Sequence, residues 1–137
     1  MTAPDTIAAL FDAAVAVRAH AHAPYSNFPV GAAILTADGA IHAGCNVEIA
    51  SFPEGWCAET TAIGRMVSAG GDRRIRTVLV VAGGARLTAP CGGCRQRLAE
   101  FSDAETIVHI AGPEGVRATH TMGELLPVGF VLTEDMR

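Results

Sequence analysis

Thr77-Val78-Leu79-Val80-Val81-Ala82 is a continuous apolar run. Its length and β-branched content read as a strand covered on both faces. Gly83 and Gly84 break it. Before it, a helical pattern runs from Cys57 to about residue 69, where Gly70-Gly71 ends it. After it, Pro90 starts a second helical segment that reaches about residue 101. A two-faced strand between two amphipathic helices predicts an α/β arrangement.

Further out, residues 30–35 read as a buried strand. Asp38-Gly39 is a hairpin signal, and residues 41–47 return as a second strand. Thr2-x-x-Asp5 fits a capping box with Pro4 in the first turn. Ile7, Leu10, Phe11, Ala14 and Val17 recur at helical spacing, so a first helix is expected from about residue 4 to 21. His20 and His22 suit the dipole at its C-terminal end, and Pro24 stops it. Residues 105–111 and 116–121 read as two more strands, and residues 122–126 as a closing helical turn. The order α-β-β-α-β-α-β-β predicts a three-layer α-β-α sandwich with a mixed five-stranded sheet. No repeat or linker interrupts the 137 residues, so residues 1–137 are expected to form a single domain.

Half of the residues are hydrophobic, enough for a core without staples. The net charge is −4, with ten Arg and no Lys, which argues against a groove for a nucleic-acid backbone. Arg73, Arg74 and Arg76 read as a solvated loop. No charged segment followed by an apolar stretch opens the chain, and no apolar run approaches about 18 residues. The expectation is a cytoplasmic protein with no membrane span. Four Cys in that compartment are expected to be reduced or metal-binding.

Cys57-Ala58-Glu59 and Pro90-Cys91-Gly92-Gly93-Cys94 carry the chemistry. Three thiolates, from Cys57, Cys91 and Cys94, suit one zinc ion and leave its fourth position open for water. Zinc makes such a water a nucleophile near neutral pH. Both motifs fall at expected helix N-termini, where free N–H groups and the dipole stabilise thiolates. Glu59 stands two residues from a ligand, placed to move protons rather than bind metal. It can take a proton from the attacking water and deliver protons to a ring nitrogen and a leaving ammonia. A structural zinc site is the competing reading, with Cys45 or a His as fourth ligand; it leaves Glu59 without a task. Cys45 reads instead as a small buried residue, and His42, His109 and His120 as polar-face residues of strands.

Cys-x-Glu with Pro-Cys-x-x-Cys resembles the signature of the zinc-dependent nucleobase deaminases. The resemblance sharpens to the small homotetrameric cytidine deaminases and covers nearly the whole chain. It is carried by Ala23-Pro24-Tyr25-Ser26-Asn27-Phe28-Pro29-Val30-Gly31-Ala32-Ala33, by Gly44-Cys45-Asn46-Val47-Glu48, and by Pro90-Cys91-Gly92-Gly93-Cys94-Arg95-Gln96. Leu125-Leu126-Pro127 with Phe130 is similar to the family's C-terminal closure. The resemblance implies hydrolytic deamination of cytidine and deoxycytidine, with one zinc per subunit and Glu59 as the catalytic acid and base. It implies that Asn46 and Glu48 bind the ribose and that Phe28 packs on the base. Ala58 would read the pyrimidine edge through its N–H, and Phe130 would cover the base from a neighbouring subunit of a homotetramer.

The chain also departs from the family. Thr60 stands where an Arg usually follows the catalytic Glu and offsets the thiolate charge. Arg95 is a candidate substitute. Phe52 replaces a frequent Tyr, and Trp56 precedes the first ligand, either shaping the pocket or packing at a subunit contact. Blasticidin-S deaminases share the fold and also lack that Arg, so a cytosine-containing antibiotic is the alternative substrate. Deaminases of tRNA usually have His at the position of Cys57 and need a basic surface. A zinc-stapled binding protein is the alternative without catalysis.

Overall fold

The apolar run around Leu79 is the middle strand of the sheet. The computed structural model describes residues 1–132. Along the chain lie α1 (Pro4–Arg18), β1 (Val30–Thr36), β2 (Ile41–Cys45), a 3-10 turn (Phe52–Glu54) and α2 (Ala58–Ser68). They are followed by β3 (Ile75–Ala82), α3 (Gly92–Glu100), β4 (Ile107–Gly112), β5 (Gly115–Thr121) and α4 (Met122–Leu125). The five strands are ordered β2-β1-β3-β4-β5. β3 and β4 are parallel, and every other neighbouring pair is antiparallel. Among the described residues, no helix is long and apolar enough to cross a membrane.

Alternation along the strands splits the core into two layers. Ala32, Ile34, Val78, Val80 and Val108 point toward α2, α3 and α4, where they meet Ala62, Met66, Leu98 and Met122. Ala33, Leu79, Val81 and Ala111 point the other way, onto Leu10 and Ala14 of α1. The result is the expected three-layer α-β-α sandwich around a mixed sheet. Each large aliphatic side chain buried this way stabilises the fold by roughly 1.5–3 kcal/mol. Gly44 sets the depth at which α2 sits: a Cβ there would collide with the backbone of Thr61 and Ala62. The Thr61 hydroxyl then donates to the Cys45 carbonyl at 2.8 Å, tying the first turn of α2 to the end of β2.

Four local expectations are corrected. α1 stops at Arg18, short of residue 21. His22 instead donates its N–H to the Asn46 carbonyl at 3.1 Å and accepts from the Glu48 N–H at 2.8 Å, and these bonds replace a further helical turn. The Thr2–Asp5 capping box does not form, since Ala3 is the N-cap and no side chain caps it. β2 ends at Cys45 rather than at residue 47, because Val47 pairs with Trp56 instead. His109 is not a polar-face residue: it is 3% exposed. His42 and His120 are partly exposed, as expected, and Arg73, Arg74 and Arg76 are exposed.

The two ring nitrogens of His109 lie 2.9 Å from the hydroxyls of Thr119 and Thr2, so Thr2 serves the imidazole and not the helix cap. Burial pushes the His109 pKa down. An unfolded His titrates near about 6.5. Below that pH the unfolded chain binds a proton that the folded site disfavours, so stability falls as pH drops from about 6.5 toward the depressed folded value. Thermal melts of the zinc-loaded protein at about pH 7.5 and 5.5 should show a larger drop in Tm for the wild type than for His109→Gln. Equal drops would mean that His109 is not the group responsible.

Candidate metal centre and active site

Cys57 is the N-cap of α2, Cys91 is the N-cap of α3, and Cys94 lies in the first turn of α3. The helices therefore begin one residue or more later than their motifs, with Pro90 lying outside α3. Strand β3 separates the motifs in sequence, and α2 and α3 pack on the same face of the sheet, bringing the two N-termini together. The three sulfurs all lie within 4.8 Å of one another. Sulfurs about 2.3 Å from one tetrahedral zinc stand roughly 3.8 Å apart, so this donor set fits a zinc ion. All four cysteines are free thiols. Cys45 is partly exposed rather than buried, and it lies outside the cluster.

The Cys57 pKa is lowered from the ordinary thiol value. The Cys94 thiol hydrogen-bonds its sulfur and holds it at about 6, helped by Cys91 and by the charge of Arg97, against desolvation and the Glu59 charge. That same bond to Cys57, with burial, pushes the Cys94 thiol up. Glu59 is the second residue of α2 and only 4% exposed. Burial raises its pKa, while hydrogen bonds to its backbone and to Cys94 partly oppose this. A carboxyl displaced toward neutrality is suited to both accepting and donating protons.

Asn46 and Glu48 follow β2 and hold residues 25–30. Asn46 Oδ1 accepts from the Val30 N–H at 2.9 Å, and its Nδ2 donates to the Phe28 carbonyl at 3.0 Å. Glu48 Oε1 accepts from the N–H groups of Tyr25 and Ser26, each at 3.0 Å, and Oε2 accepts from the Ser26 hydroxyl. Those bonds, led by the one from the Ser26 hydroxyl, hold the Glu48 carboxyl below its ordinary range. Each side chain keeps free hydrogen-bonding capacity for a further partner. Asn27 turns this loop at φ 54°, a left-handed conformation that Asn tolerates.

A cleft of about 490 Å³ opens beside Cys57, with Asn46, Glu48, Phe52 and Trp56 on its wall. A larger hollow of about 620 Å³ lies between α1 and residues 21–29. No group of three metal-ligating side chains stands there among the described residues, whereas Cys57 of the thiol cluster lines the smaller cleft. Ala58 is fully buried at the start of α2, where its N–H is one of the helix's uncommitted donors. The structure does not bring Phe28 and Phe130 onto the Cys57 cleft: Phe28 faces residues 83–89, and Phe130 lines a hollow with Ala99 and Gly123. Phe130 is 62% exposed, and its carbonyl accepts from Gln96 Nε2 at 3.0 Å.

Among the described residues, Thr60 Oγ1 is buried without a hydrogen-bond partner. Arg95 does not take over at the thiols, because it donates to the carbonyls of Pro90 at 2.7 Å and Leu125 at 2.9 Å. Arg97 is the arginine whose charge reaches Cys57. Its side chain folds back over Gly93, and the i,i+4 spacing of the two on α3 was the available sequence signal. The grip of Ser26 on Glu48 had no such signal, since the two are 22 residues apart.

The family model for the cytidine and deoxycytidylate deaminase zinc-binding region matches residues 4–110, which include all three cysteines of the cluster and Glu59. The cytidine deaminase of Halalkalibacterium halodurans is 42% identical over 127 residues, covering 93% of this chain and 95% of that protein. The cytidine deaminase of Mycobacterium tuberculosis is 39% identical over 117 residues, covering 85% of this chain and 83% of that protein. The 1.6 Å crystal structure of cytidine deaminase from Burkholderia pseudomallei has a TM-score of 0.83 at 41% identity, covering 95% of this chain and 100% of that one. Thiols converging from two helix starts, a buried carboxyl beside them and similarity along most of the chain lead to one conclusion: the chain belongs to the cytidine and deoxycytidylate deaminase family.

Proposed function

We propose that residues 1–137 form one catalytic domain that hydrolyses cytidine and deoxycytidine to uridine and deoxyuridine, releasing ammonia. The observation that carries this reading is the convergence of the Cys57, Cys91 and Cys94 sulfurs beside buried Glu59. Those three cysteines would hold zinc, which when bound supplies the Lewis acidity that makes water a nucleophile near neutral pH. Glu59 accepts a proton from the water that attacks C4 of the base. It passes that proton to N3, then takes the second one from the new C4 hydroxyl and gives it to the amino group, so that the C4–N bond breaks, ammonia leaves and the carbonyl forms. Its burial, which raises the carboxyl pKa, supports both transfers. The N–H of Ala58 reads the pyrimidine edge, and the free capacity of Asn46 and Glu48 receives the ribose hydroxyl. Phe28, which faces the segment 83–89 that leads to Cys91, packs on the base from that side.

Homotetramer assembly is part of the proposal, with Phe130 reaching the cleft of a neighbouring subunit. Exposed aromatic side chains support it: Tyr25 is 52%, Phe52 71%, Trp56 45% and Phe130 62% exposed. Tyr25, Phe52 and Trp56 line one cleft, and contiguous apolar exposure of that kind marks an interaction surface. A cytoplasmic setting suits the free thiols. The net charge of −4 favours a free nucleoside over nucleic acid. Loss of the cytidine absorbance band on incubation with zinc-replete protein, with blasticidin S untouched in parallel, is the expected result. Silence on cytidine with turnover of blasticidin S would overturn the nucleoside reading and mark Thr60, Phe52 and Trp56 as signs of a redirected pocket.

A further inference from the structure

β3 ends at Ala82, and residues 83–90 connect it to Cys91 without helix or strand. Gly84 turns this connection at φ 82°, a left-handed conformation that suits glycine. The connection also forms the far side of the hollow on which Phe28 stands. Such an irregular segment keeps one shape only if its backbone groups are held.

Arg117 of β5 holds it. Its Nη2 donates to the Gly84 carbonyl at 2.6 Å, and its Nη1 donates to the Arg86 carbonyl at 3.2 Å. Glu114, in the turn between β4 and β5, steadies the guanidinium, accepting from Nε at 2.5 Å and from Nη2 at 3.1 Å. The guanidinium lies across Gly112, where a Cβ would collide with it. It thus reaches from the edge strand past the end of β4 to the segment that leaves β3. A planar fork with five donors can serve these four acceptors together, and a lysine ammonium cannot.

We infer that Arg117 is a positioning residue for the deamination, anchoring residues 83–89 so that the wall facing Phe28 and the approach to Cys91 keep their shape. The inference rests on the cytidine reading above. Arg117 touches neither the thiols nor Glu59, so its loss affects substrate binding more than the chemical step. In zinc-loaded protein, Arg117→Ala and Arg117→Lys should each raise KM for cytidine about tenfold while kcat stays within about twofold. Trypsin should cut after exposed Arg86 about tenfold faster in both variants. Gly112→Ala keeps the arginine but displaces its guanidinium, and should shift both readouts in the same direction.

Unchanged cleavage and unchanged KM in all three variants would overturn the anchor. Faster cleavage with unchanged KM would overturn the positioning role and leave a purely structural tie. A wild-type protein inert toward cytidine would sink the functional reading instead, and the Arg86 cleavage rates would still decide whether Arg117 holds the segment.

Discussion

Glu59→Gln should retain one zinc per chain and lose turnover of cytidine. Glutamine has nearly the shape of glutamate, so the buried site, 4% exposed in the wild type, need not repack. It cannot accept the water's proton or return it to the base and the leaving group. General acid–base catalysis by one side chain is worth typically about 10²- to 10⁴-fold, and both transfers run through this carboxyl, so the loss belongs at or beyond the upper end. Metal analysis and ultraviolet absorbance on the same sample separate the two effects. Turnover within about tenfold of wild type, with zinc retained, would remove Glu59 from the mechanism.

Cys91→Ala should lose zinc and much stability together. Cys91 caps α3, Cys57 caps α2, and the metal would join the two helix starts across the end of the sheet. The Cys91 side chain is exposed, so its removal leaves no buried cavity and the loss is that of the metal tie. Zinc that binds the folded state at a thousandfold over its Kd stabilises it by about 4 kcal/mol. For a domain of this size that corresponds to a Tm lower by roughly 12–20 °C. A chelator should lower the wild-type Tm to a similar value. Cys45→Ala is the control: Cys45 lies outside the cluster, and its replacement should leave zinc content unchanged. Full zinc stoichiometry in Cys91→Ala would overturn the ligand set.

The sequence by itself determined the central strand, the helices beside it and the zinc-ligand candidates. Thr77 to Ala82 declares a strand with two covered faces through composition alone. The cysteine spacings and the Gly70-Gly71 stop are likewise local, fixed within a few residues of chain. Family resemblance placed Asn46 and Glu48 near the ribose, and the structure puts both on the wall of the Cys57 cleft.

Only the tertiary structure decided what the polar side chains do once the chain is folded. Thr2 binds His109, which lies 107 residues away, and so leaves its helix uncapped. His22 pairs with the segment after β2 and ends α1 early. Arg95 serves Leu125 instead of the thiols, and Arg117 reaches back 31 and 33 residues to hold the approach to Cys91. Helix and strand patterns reflect backbone geometry repeated every few residues, so short windows reveal them. A buried hydrogen-bonding group takes whichever partner packing brings within about 3 Å, and that partner is set by the fold, not by neighbouring sequence.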